Sequence, residues 1–220
     1  MTGSTLNMHY TIADPKTFGI SEYEPVLPIY HSGQPEDSKK HCSDLLHRLD
    51  RIDPDRLSPE NAYTYRLLHC SLENDLALAD FPYYNEPLSP SSGMQSQLPV
   101  LLAEYTFRTK RDVTDYLALL DQIDDYFASL LLYEQEKAAA GFFMPACSSE
   151  KVRKQCDTIV TTEELAQGTH FLQTTFEDRL SELQKQGLFT PEETASLIET
   201  NEHLLATCLL YTSPSPRDCS

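Results

Sequence analysis

The chain has 220 residues and a formal net charge of −17, from 34 acidic against 17 basic side chains. That length is enough for a real core, and 40% apolar content with 10% aromatics excludes disorder for most of it. The anionic balance disfavours phosphate backbones and anionic membrane surfaces, no apolar run is long enough to span a bilayer, and no signal-peptide pattern opens the text.

In chain order, residues 1–33 are predicted to be extended or irregular, because Pro15, Gly19, Pro25, Pro28 and Gly33 punctuate them. Their apolar residues, Leu6, Met8 and Ile12 among them, predict packing across a helical body. Cys42, Leu45, Leu46, Leu49 and Ile52 recur at helical spacing and predict a first helix over 35–52. Ser58-Pro59-Glu60 is a strong start for a second, to about Asp80. Its apolar residues spread over more than one face and predict burial on more than one side. A long loop over 81–97 and a short helix over 99–106 follow.

Thr109 and Asp112 resemble a capping box and predict one long helix from there to about Ala140, ended by Gly141. Pro145 with Ser148-Ser149 restarts a helix carrying Val152, Cys156 and Ile159. Thr161 and Glu164 suggest a second capping box before a short helix. Helices over 171–186 and from Thr190-Pro191 complete the pattern. No strand alternation and no repeat occurs. The expected fold is all-α: an antiparallel helical bundle with an extended N-terminal segment, as an incomplete domain.

Few residues offer chemistry. No His-Glu-x-x-His is present, and His41 and His47 are too far apart to share one helical turn. His41-Cys42 and His69-Cys70 are the pairs that two helices could bring together as a mixed metal site. Packed or surface histidines are the ordinary reading. Cys42, Cys70, Cys147 and Cys156 fall in no zinc-ribbon spacing and read as buried free thiols. The carboxylates Asp121, Asp124, Asp125, Glu134 and Glu136 read as a solvated helix face. Tyr63, Tyr65, Tyr83, Tyr84 and Tyr105 suit either a peptide- or sugar-binding groove or helix packing.

Several strings carry a resemblance: Leu6-Asn7-Met8-His9-Tyr10-Thr11, Leu88-Ser89-Pro90-Ser91-Ser92-Gly93 with Gln95, Gln97-Leu98-Pro99 through Tyr105, Asp112-Val113 with Asp115-Tyr116-Leu117, and Glu136-Lys137-Ala138-Ala139-Ala140-Gly141. Together they resemble the bacterial domain-of-unknown-function family 885, in the form found in gut Firmicutes, over about Thr5 to Thr207. The resemblance implies a longer, mostly helical, metallopeptidase-like parent protein, exported or lipid-anchored. Its zinc-binding His/Glu motif lies in a C-terminal half, and a peptide is its substrate. It supplies no catalytic residue and no metal ligand here, so no cofactor is expected in this chain and zinc is expected in the parent. His9, Tyr10, Ser92, Gly93, Gln97 and Tyr105 are the candidates for a substrate cleft.

Residues Cys208 to Asp218 back-translate in frame to a string that resembles the transposase adapter of DNA sequencing libraries. The expected organisation is therefore an N-terminal segment 1–33, a helical N-terminal half of a peptidase-like domain 34–207, and an adapter-derived, disordered tail 208–220. On this reading the chain is an inactive part of a zinc-dependent peptidase-like protein. The alternative is a complete, non-catalytic helical binding module.

Overall fold

A computed structural model describes residues 4–30 and 34–209, with residues 34, 35 and 209 described in backbone only. The ends of the segments 1–33 and 208–220 therefore lie partly outside the described residues. The described residues form helices and short turns, with no strand among them. The helices are α1 (Thr5–Thr11), α2 (Gln34–Leu49), α3 (Pro59–Leu78), α4 (Met94–Glu104), α5 (Lys110–Asp121), α6 (Ile123–Ala139), α7 (Ala146–Ile159), α8 (Thr162–Ala166), α9 (Phe171–Lys185) and α10 (Pro191–Leu204). A π-turn, Leu205–Leu209, continues α10 and buries Cys208. The chain divides into two compact units.

One unit comprises Met1–Ile29, Pro87–Leu132 and Phe143–Ser220. In it α9 packs on α10 and α4, α4 on α7, and α5 on α10. Its core holds Leu98, Leu102, Tyr105, Val113, Tyr116, Leu119, Leu120, Ile123, Leu172, Phe176, Leu180 and Leu205. Local chemistry accounts for most of its boundaries. Thr109 and Asp112 form a reciprocal capping box at α5, and Thr190 and Glu193 form another at α10. At α8 Thr161 accepts from the Glu164 backbone N–H, but its hydroxyl donates to the Glu164 carboxylate, so the box is only half made. After α9, Gly187 at φ 77 turns the chain so that Leu188 N–H reaches Leu183 O at 3.1 Å, a Schellman closure.

The segment expected to be irregular forms α1, capped by the Ser4 side chain at Asn7 N–H. An extended strap then runs back past it. Thr5 N–H donates to Val26 O at 3.0 Å, and Val26 N–H to Thr5 Oγ1 at 2.8 Å. Leu6, Met8, Ile12 and Leu27 are buried, whereas Phe18 and Ile29 are exposed.

Two helices depart from the periodicity. The helix expected to be continuous over 109–140 breaks at Gln122, whose N–H bonds Leu119 O in a tightened turn. The cause lies in the strap. Gln122 Nε2 donates to Pro25 O and Ala118 O, and Gln122 Oε1 accepts from Leu27 N–H at 3.0 Å. Likewise α4 starts at Met94, not at Pro99, and carries Pro99 inside it.

Gly93 precedes α4, where no side-chain cap exists. A Cβ there would sit 2.2 Å from Ser89 N and 2.6 Å from Ser89 O. Both are backbone atoms of a loop held by Gln95, so they cannot give way. Gly93→Ala is expected to cost about 2 kcal/mol or more by overpacking, read as a lowered urea midpoint at unchanged slope.

The other unit comprises Tyr30–Glu86 and Tyr133–Phe142. It is built on a hairpin of α2 and α3 joined by a turn at Pro54–Arg56. Ser58 caps α3, with Pro59 at its first position, as its sequence predicts. The expectation that α3 is buried on more than one side is wrong. None of its twenty residues is buried, and Tyr63, Leu67, Leu68 and Leu78 are exposed. Among its described residues only Cys42 and Lys137 are buried.

Candidate functional site

The six residues singled out from the sequence fall at two places in the first unit. α4 separates them, and its eleven residues span roughly 16 Å at the rise of an α-helix. At its C-terminal end stand His9, Tyr10 and Tyr105. At its start stand Ser92 and Gly93, with exposed Gln97 on the first turns.

The C-terminal end of α4 is the richer of the two. α1 carries His9 inward, where it is only 8% exposed. Its ring stacks on Tyr105 with centroids 3.7 Å apart and planes 12° from parallel. Thr106 N–H donates to His9 Nε2 at 3.2 Å, so that nitrogen is the acceptor and the ring is neutral with its proton on Nδ1. Nδ1 faces Asp112 Oδ1 at 3.8 Å, too far for a hydrogen bond. Asp112 is occupied elsewhere: its Oδ2 accepts from the N–H groups of Arg108 and Thr109 at 2.9 and 2.7 Å.

Beside this pair, buried Asp115 accepts from the Tyr23 hydroxyl at 2.8 Å and from Arg111 Nε at 3.4 Å, and Arg111 lies over the Tyr23 ring. Burial and the Asp115 carboxylate push the Tyr23 phenol up to about 12. Tyr105 is fully buried, and its phenol is raised by burial. Tyr10 is partly exposed and its hydroxyl donates to Leu101 O. Arg179 of α9 closes the end of α4. Its Nη1 donates to Leu102 O and Tyr105 O, and its guanidinium lies over Phe107.

Burial is the largest influence on His9 and lowers its pKa below the ordinary histidine value, against the opposing pull of Asp112. A histidine depressed on folding contributes stability that is complete above its unfolded pKa and is lost as pH falls through the lower, folded pKa. The protein is therefore expected to lose stability on acidification below the ordinary histidine range. His9→Gln, which keeps an acceptor without a titrating ring, is expected to flatten that part of the curve. Urea midpoints at stepped pH for both proteins measure the difference.

The start of α4 is knitted rather than open. Gln95 Nε2 donates to Ser89 O at 2.7 Å and to Gln155 Oε1 at 2.9 Å, while Gln155 Nε2 donates to Pro90 O at 2.9 Å. The Ser89 and Ser92 hydroxyls bond each other at 3.2 Å. Gln95 and Gln155, absent from the sequence candidates, are what hold this loop to α7. The glutamine in the Ser-Ser-Gly-x-Gln string was visible, but its partner, 60 residues later, was not.

The zinc that the resemblance implies finds no fit in these residues. Among the described residues no group of three or more His, Cys, Asp or Glu is placed to hold a metal ion. His69 has both ring nitrogens facing carboxylates, Nε2 toward Asp50 at 3.2 Å and Nδ1 toward Glu73 at 3.3 Å. It does not join His41-Cys42 in a mixed site. Cys42, Cys70, Cys147 and Cys156 form no disulfide among the described residues, but Cys70 and Cys147 are exposed, contrary to the buried state expected. Tyr63 is exposed on α3 and Tyr105 is core, so of the five tyrosines only Tyr83 and Tyr84 line a cleft, which lies in the second unit.

The sequence profile of a family described as bacterial protein of unknown function (DUF885) matches residues 16–207. No curated protein matches. Among solved structures, the chain is similar to one described as a "putative lipoprotein" from Colwellia psychrerythraea, with a TM-score of 0.73 at 15% identity. The likeness covers 97% of this chain and 37% of that one, so the chain spans little more than a third of the structure it matches. That similarity shows a shared all-helical fold. No helix among the described residues is long and apolar enough to cross a membrane.

Proposed function

We propose the following for this chain, which belongs to the bacterial DUF885 family: it is the helical N-terminal part of a longer, zinc-dependent peptidase-like protein of the cell exterior, and it does no hydrolysis by itself. The observation that carries the reading is the length relation, because nearly all of this chain superposes on little more than a third of a longer protein with the same fold. The bare apolar residues of α3 agree with it, since a twenty-residue helix with no buried residue is one that further chain would cover. The exterior location rests on the family resemblance and on the description of the Colwellia protein as a lipoprotein. In this reading the first unit is scaffold, with its polar groups spent on holding α1, α4, α5 and α9 together.

The test compares this chain with a full-length family member on one mixture of unstructured peptides, each assayed with zinc and with a chelator. Zinc-dependent cleavage by the full-length protein and none by this chain is expected. Cleavage by this chain, or a full-length protein inert with zinc, contradicts the proposal. In the second case the non-catalytic binding module is the better account.

A further inference from the structure

The second unit contains a cleft of about 400 Å³ that the peptidase-like reading does not use. Tyr30, Tyr83, Tyr84 and Tyr133 line it together with the exposed acids Asp75 and Glu136, and no Lys or Arg is among the lining residues. Its size falls at the lower end of small-molecule pockets.

The cleft is preorganised. Tyr133 and Lys137 sit four apart on the last turns of α6, hence on one face, and both hold the loop over 82–86, most of which lines the cleft. The Tyr133 hydroxyl is shared between Pro82 O at 3.0 Å and Asn85 O at 3.1 Å. Lys137, only 4% exposed, pairs with Glu86 at 2.7 Å. Tyr133 is thereby fixed as a central ring, with Tyr30 at 5.3 Å and 40° on one flank and Tyr83 at 6.0 Å and 50° on another. Rings tilted this way do not lie in one plane and so make no flat platform. A flat platform suits a sugar ring, whereas rings in different planes suit a compact rounded group.

The charges decide which group. Aromatic faces present negative quadrupole density, and a desolvated cation over them is attracted electrostatically. Neither the Asp75 nor the Glu136 carboxylate has an ion-pair or hydrogen-bond partner among the described residues, so both remain available to a positive ligand. We propose that this cleft binds an organic ammonium cation, with Tyr30, Tyr83 and Tyr133 around the charged head and the Asp75 and Glu136 carboxylates as its counter-charges. The inference rests on the cleft alone and stands or falls separately from the peptidase-like reading.

Calorimetric titration of the full chain tests it at about pH 8, where the amine probes carry their charge. The probes are choline, n-propylammonium, glucose, and 3,3-dimethylbutan-1-ol, the neutral isostere of choline. Saturable binding of choline or propylammonium is expected, at least about tenfold tighter than the isostere. The ratio of the two amines tells a quaternary from a primary head. The exposed pair Asp75→Asn and Glu136→Gln, which leaves the core untouched, is expected to weaken the cation severalfold and to leave the isostere unchanged. Tyr83→Ala is expected to weaken it about tenfold, with an unchanged thermal transition as the control for folding. Equal binding of the isostere, binding of glucose in place of the amines, or no amine binding overturns the proposal.

Discussion

Phe176→Ala is expected to destabilise the first unit by about 4 kcal/mol, the largest effect of any single truncation considered. Phe176 is fully buried on α9 and is the inner member of a run of rings. It meets Phe107 edge-on at 5.5 Å and 83°, and Tyr116 at 5.4 Å. Phe107 and Tyr116 meet each other edge-on at 5.4 Å, and Tyr105 connects the run to His9. Truncation removes the buried apolar area and leaves a cavity between α4, α5 and α9 whose walls are themselves rigid rings, so little collapse can recover the loss. Contacts between rings add about 0.5–1.5 kcal/mol per pair beyond area. For a chain of this length the melting temperature is expected to fall by roughly 10 °C. Phe176→Leu, which keeps most of the volume, is expected to cost only about 1–2 kcal/mol. Thermal and urea unfolding of the three proteins measures both steps.

Arg179→Met is expected to cost about 3 kcal/mol. Methionine keeps much of the stem, so the loss isolates the guanidinium. That group donates from Nε to Thr175 O at 2.7 Å and from Nη1 to Leu102 O and Tyr105 O. The last two are carbonyls at the C-terminus of α4, where the helix's own donors become scarce, although Leu102 O also accepts from Tyr105 N–H at 3.3 Å. Burial lowers the Arg179 pKa, and no carboxylate is among the influences on it, so carbonyl dipoles and the faces of Phe107 and Tyr116 stand in for a counter-ion. Arg179→Lys is expected to recover less than half of the loss, because an ammonium cannot reproduce the planar fork. Equal stability of the Met and Lys variants with the parent chain would show that the end of α4 is held by packing alone.

These two residues also show what was legible beforehand. The sequence marks Phe176 as core, because it falls on one helical stripe with Leu172, Leu180 and Leu183, all of which are buried. Arg179 was not singled out, since nothing local marks a charged residue that reaches carbonyls 74 and 77 positions earlier. The same division holds for the helices. Starts set by a hydroxyl and a nearby acid were readable at Ser58, Thr109 and Thr190, the first and last with a proline between them, because their bonds lie within one turn. The break at Gln122 was not, because its bonds run to Pro25 and Leu27, 97 and 95 residues away. Periodicity showed which positions of α3 are apolar, but it carries no information on whether anything covers them. That is why α3 was expected to be buried and is bare.

The candidate site divides in the same way. His9 and Tyr105 were both singled out, but their stacking comes from tertiary packing that brings α1 to the end of α4. The cleft of the second unit was half visible as a cluster of tyrosines. Its central ring, Tyr133, belongs to the far end of α6 and was absent from that cluster. Its choice of a cation over a sugar depends on ring angles and on unpaired carboxylates, which no spacing encodes.

Zinc content of the purified chain tests the functional account most directly. After incubation with zinc and exhaustive dialysis, metal analysis is expected to find far less than one zinc per chain, because the ligands of the peptidase-like protein are proposed to lie outside these residues. One zinc retained per chain, lost when the described histidines are replaced, would contradict it.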